Sequence, residues 1–199
     1  FLKQILTKAR AEALVEQSIK ETKDNVRKIP IKPRSFDTDN FGLSILPNTA
    51  SLLTTMNEHK SICKNMLANP DYPDEFKREL AQLIRLISFT IEVIRHLHKV
   101  QNHLIKFSPL FKFSKLTTYI KKEDFVAGFL KIRQDFMEIM RGIIQKEMMY
   151  FLALIGEEAE GDAKVEDIIK RLKEMNRHCE DIMHELYIFF KALRKECPR

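Results

Sequence analysis

Two carboxylate–histidine pairs stand four residues apart in this sequence, Glu92 with His96 and Glu180 with His184. On a helix, side chains at i and i+4 lie one above the other, so each pair could offer a carboxylate and an imidazole to one metal ion or one proton. A di-iron bundle asks for more than this: inward-facing carboxylates and a Glu-x-x-His spacing on two helices. Here both pairs project away from the main apolar stripe of their helices, and Glu92, His96 and His103 share one polar side. The reading is therefore surface pairs, with no metal site and no cofactor.

Three polar residues do fall on apolar stripes. His98 and Gln101 are in line with Ile91 and Ile94, and Glu147 is in line with Ile143 and Leu154. A carboxylate taken out of water needs a partner, so Glu147 is expected to be paired or to reach solvent; a perturbed environment would make it a site candidate. The plain expectation is a structural hydrogen bond or a position at a helix edge, and for Glu147 and His98 the sequence leaves both a structural and a functional role open. No Gly-x-Ser-x-Gly elbow, phosphate loop or dinucleotide fingerprint is present, so no catalytic residue is assigned and the chain is read as no enzyme.

The three cysteines, Cys63, Cys179 and Cys197, form no Cys-x-x-Cys pair. Cys63 and Cys179 lie on apolar stripes, where a thiol behaves as a small inert hydrophobe; Cys197 is expected to be exposed. An odd number without a pairing pattern points to a reducing compartment, and the localisation expected is cytoplasmic.

The segment from Ile105 to Lys122 interleaves aromatic and basic residues. Lys106, Phe111, Lys112, Phe113, Lys115, Lys121 and Lys122 are the candidates for contact with an anionic membrane surface, where lysines meet phosphates and phenylalanines enter the interface. The same residues could stack on and neutralise a nucleic acid. The alternative is a loop whose phenylalanines cap one end of the core while its lysines reach water.

The elements that would position these residues are long helices. Apolar residues recur at helical spacing over about 2–28, 49–68, 74–107, 123–155 and 162–196. Pro30 and Pro33 stop the first, and Ser108-Pro109 is expected to end the third. Turns are expected over 69–74 and 156–161, and a basic and aromatic loop over 108–122. Residues 29–47 hold three prolines but also Phe36, Phe41, Leu43, Ile45 and Leu46, which fits an extended crossover packed on the helices.

The fifth helix has one apolar stripe from Val165 to Leu193, as a peripheral helix should. The third has two. The first runs through Phe76, Leu80, Leu83, Ile84, Ile87, Ile91, Ile94 and Ile105. The second runs through Leu86, Phe89, Val93, Leu97, Val100, Leu104 and Phe107. If that second stripe is left uncovered, Leu86, Phe89, Val93, Val100 and Phe107 form a partner-binding patch.

Composition agrees with a helical protein. Among 199 residues there are only 5 Gly and 7 Pro, with 44% hydrophobic and 31% charged residues and a net charge of +6. That balance excludes a disordered chain and the turn-rich make-up of a β fold. The longest apolar run, Met148 to Ile155, is too short for a membrane span. The expected architecture is all-α: an antiparallel bundle of about five helices, four of them long, with an extended crossover between the first and second, as one domain over 1–199. The expected function is a non-catalytic protein-interaction module, a scaffold or adaptor belonging to a larger protein, with another protein as partner. An anionic membrane is the alternative, and a nucleic acid follows it.

Overall fold

The computed structural model describes residues 2–29, 33–36, 43–112, 123–145 and 159–196. Its order is α1 (Leu2–Arg27), β1 (Arg34–Phe36), β2 (Leu43–Ile45), α2 (Thr49–Leu67), α3 (Asp74–Lys112), α4 (Glu123–Gln145) and α5 (Ala159–Glu196). The all-α reading holds, with five helices among the described residues and only one short strand pair.

The longest element is α3, at 39 residues. At 1.5 Å per residue it is a rod of about 58 Å. Asp74 and Glu75 occupy its first turn, where the dipole favours negative charge. Its predicted end at Ser108-Pro109 is corrected: the helix continues through Pro109 to Lys112. Proline costs one backbone donor there, in the last turn. Phe107 and Ser108 are buried around it and Leu110 packs on the core, so the helical path keeps apolar contacts that an earlier turn would lose.

The two stripes of α3 serve two cores. Leu80, Leu83, Ile87 and Ile91 of the first stripe pack with Ile19 and Val26 of α1 and Met56 and Cys63 of α2. Val93, Leu97, Val100, Leu104 and Phe107 of the second stripe pack with α4 (Phe129, Ile132, Phe136, Met140) and α5 (Val165, Leu172, Cys179, Leu186). Leu86 borders both clusters. One continuous helix is thus the wall that both cores share.

The helix directions follow from the contacts. Lys173 and Asn176 of α5 meet Glu92 and His96 of α3 in ascending order, so α3 and α5 run the same way. Glu138 of α4 pairs with Arg171, early in the packed part of α5, while Phe129 lies against Phe107 near the end of α3. Helix α4 therefore runs against both, which is the alternation of an up-and-down bundle.

The crossover is partly a two-stranded antiparallel ladder, with Arg34 opposite Ile45, Ser35 opposite Ser44 and Phe36 opposite Leu43. Leu43 and Leu46 enter the second core. Behind them the chain is fastened by side chains of α3. Gln101 Oε1 accepts from the Leu46 amide at 2.7 Å, and Gln101 Nε2 donates to the Leu46 carbonyl at 3.2 Å. Three residues earlier, Asn102 Nδ2 donates to His98 Nε2 at 3.0 Å, which leaves His98 Nδ1 to donate to Thr49 Oγ1 at 2.8 Å. Between the two anchors Asn48 adopts the left-handed conformation, φ 56° and ψ 32°, which asparagine tolerates better than most residues. Of the two alternatives the sequence leaves for His98, structural or functional, the hydrogen bonds here are structural ones, as are those of Gln101.

This fastening carries a stability prediction. Gln101→Leu leaves the buried amide and carbonyl of Leu46 without partners, at a cost of about 1–3 kcal/mol. Urea unfolding followed by circular dichroism should show a lower midpoint for the variant; an unchanged midpoint would mean that water or another group replaces the clamp.

Candidate functional site

The five residues expected to form an open patch on α3 are corrected first. Val93, Val100 and Phe107 are inside the core, and Leu86 and Phe89 are half-buried against it. The second stripe is covered from within the chain by α4 and α5, so it offers no free face. The Phe107 ring stacks on His103 and meets Phe129 edge-on at 6.1 Å, joining α3 to α4.

The polar side of α3 is corrected as well. His96 and His103 are half-buried because α5 packs along that side. Lys173 Nζ lies 2.7 Å from Glu92 Oε1, and His96 Nε2 is 3.9 Å from the same oxygen. Asn176, itself buried, donates from Nδ2 to the Leu172 carbonyl at 3.0 Å, and to the carbonyl and Nδ1 of His96 at 3.3 Å. His96 Nδ1 is then an acceptor, as in the neutral ring. Glu180 and His184 are exposed on α5. Among the described residues no group of three or more His, Cys, Asp or Glu could hold a metal ion.

Burial lowers the pKa of His96; Lys173 and Lys99 lower it further, against an upward pull from Glu92. Burial also lowers that of His103, with Lys106 and Lys99 adding to it and Glu180 opposing. Both rings stay neutral in the folded chain at pH values where an unfolded histidine begins to charge. The thiols are quiet. Burial raises the Cys63 thiol, and burial with the nearby Glu180 carboxylate pushes Cys179 up to about 12.

Of the residues considered for an anionic surface, Lys106 is exposed on α3 and Phe111 and Lys112 belong to its last turn. Phe113, Lys115, Lys121 and Lys122 lie outside the described residues, as do Glu147 and Cys197. Among the described residues no helix is long and apolar enough to cross a membrane.

An uncovered apolar surface does exist, at the end of α5. Its stripe is buried at Val165, Ile169, Leu172, Met175, Cys179, Ile182 and Leu186, while Met183 within it is already exposed. Beyond that the core ends but the apolar residues do not. Tyr187 is 64% exposed, Ile188 49%, Met183 41% and Phe190 38%. Met183, Tyr187 and Phe190 continue the core-facing side of α5, while Ile188 points elsewhere, so the last turns are apolar over much of their circumference. The rings of Phe189 and Phe190 meet at 5.6 Å, and Lys191 Nζ sits 6.0 Å from the Tyr187 ring. Arg194 and Lys195 follow in the last turn, where cations suit the helix dipole. The sequence carried a signal for this surface, the stripe running on to Leu193, but its periodicity names only a face.

A family model described as dynein heavy chain, N-terminal region 2, matches residues 1–199. No curated protein and no solved structure matches the chain.

Two measurements check the electrostatics. A histidine whose folded pKa is lowered makes the unfolded chain bind more protons, so its stabilising contribution is complete above the unfolded value near 6.5 and is lost as pH falls through it. The guanidinium midpoint should therefore drop between pH 7.5 and pH 5.5, and the drop should shrink in His96→Gln/His103→Gln; an identical drop in both would contradict the assignment. At pH 8, peptide mass spectrometry after maleimide treatment should find Cys63 and Cys179 unmodified in the folded chain and modified once denaturant is added.

Proposed function

The chain belongs to the dynein heavy chain N-terminal region 2 family, and from that premise we propose that it is a non-catalytic structural region of a longer heavy chain which docks on another protein surface. The observation that carries the reading is the apolar end of α5. Met183, Tyr187 and Phe190 on the core-facing side of the helix, with Ile188 beside them, are exposed where none of the described residues covers them. A helix that is apolar over much of its circumference finds its cover elsewhere, and tyrosine and phenylalanine on a rigid helix are good anchors for it.

Several features support this reading over an enzymatic one. Cys179 is buried and hard to ionise, His96 serves the packing of α5 on α3, His103 stacks on Phe107, and Gln101 and His98 serve the crossover. Each of these groups has a structural partner or a covered position. A surface of aromatic side chains beside Lys191, Arg194 and Lys195 suits a partner that presents an apolar face rimmed by carboxylates. The whole of residues 1–199 would act as one unit in the cytoplasm, with the α5 end as its docking point.

Site-specific photocrosslinking in the intact heavy chain tests this. A benzoylphenylalanine at position 187 or 190 should crosslink to a segment outside residues 1–199 or to a companion chain, and one at exposed Arg141 should not. Crosslinks confined to residues 1–199 would contradict the docking role.

A further inference from the structure

A groove between α4 and α5 has its own chemistry, independent of the apolar end of α5. Its volume is about 570 Å³. Its floor is the buried apolar trio Ile132, Met175 and Ile182. Along its rim stand four carboxylates, Asp135 of α4 with Glu174, Asp181 and Glu185 of α5. The cations lining it are Lys131 and Arg171, with His178 beside them, and the Arg171 guanidinium is committed to Glu138 at 3.1 Å. On a chain of net charge +6, this strip has the opposite sign.

The shape is that of a seat for a helix. Two antiparallel helices leave a furrow between their ridges into which a third helix packs. The lining reaches from Arg171 to Glu185 along α5, about 21 Å at helical rise, which is four turns of a partner helix and longer than a small molecule needs. The volume lies in the range that takes buried anchor side chains. At Gly128, on the wall of the groove, an added Cβ would meet nothing within 4 Å. Among the described residues nothing fills the furrow beside Gly128.

We propose that the α4–α5 groove binds a basic amphipathic helix of another polypeptide segment, its leucine-like anchors on Ile132, Met175 and Ile182 and its lysines or arginines on Asp135, Glu174 and Asp181. The apolar floor supplies the seat, and the carboxylate rim selects the charge and excludes acidic helices.

The test is fluorescence anisotropy with the intact heavy chain and two labelled 18-residue probes. One is an amphipathic helix of leucine and lysine, and the other is the same helix with glutamate in place of lysine. The lysine probe should bind and the glutamate probe should not. Gly128→Leu puts a side chain at the wall of the furrow, where its Cβ meets nothing within 4 Å, and should weaken binding of the lysine probe at least tenfold in a variant whose circular dichroism matches the parent. Asp135→Lys/Glu174→Lys should weaken it as strongly. The inference is overturned if neither probe binds, if both bind alike, or if Gly128→Leu binds the lysine probe as well as the parent does.

Discussion

Everything in this molecule hangs on α3 being one unbroken helix that is apolar on two sides. A helix with a single stripe can lie at the surface of a core. A helix with two must be covered twice, and the chain does this by placing α1 and α2 against the first stripe and α4 and α5 against the second. The burial of Ile87 and Ile91 in one cluster and of Val93 and Leu97 in the other, within three turns of the same rod, means that the two cores cannot shift relative to each other without breaking backbone hydrogen bonds in the middle of α3.

Polar side chains then fix how the remaining pieces sit on that rod. Gln101 and His98 hold the crossover at Leu46 and Thr49. Glu92 and His96 receive Lys173 and Asn176 of α5, setting its direction and register. The bonds of Gln101 and Asn176 are buried, so breaking one leaves a polar group desolvated without compensation, whereas the exposed Lys173–Glu92 pair contributes little. The stripes decide which helices pack, and the polar anchors decide where along α3 they stop.

Much of this was legible in the residues. Helix positions followed from apolar periodicity and from Pro30, Pro33 and the Asn69–Asp74 turn, because those signals are local. The double stripe of α3 was visible too, and so was the placing of His98 and Gln101 on an apolar line, though not the role of either. What was not legible was which face meets which neighbour. The second stripe reads the same whether it is covered or open, and only the placement of α4 and α5 shows Val93, Val100 and Phe107 to be core. The side bearing Glu92, His96 and His103 reads as solvated, yet α5 lies along it, since lysine, asparagine and glutamate can satisfy a polar interface. Pro109 reads as a stop, but packing around Phe107 and Leu110 outweighs one lost donor. The end of the α5 core at Leu186 and the acidic groove beside Gly128 belong to pairs of helices, and no single stretch of sequence encodes them.

Native-state hydrogen exchange along α3 tests the central claim most directly. If α3 is the shared wall, amides from Leu83 through Leu104 should exchange with one common opening free energy in the intact heavy chain, the slowest of the region, across the Leu86–Thr90 junction between the cores. If instead the amides before Leu86 open together with α1 and α2 while those after Thr90 stay closed, the two cores are separate units and the account of α3 as their common wall is wrong.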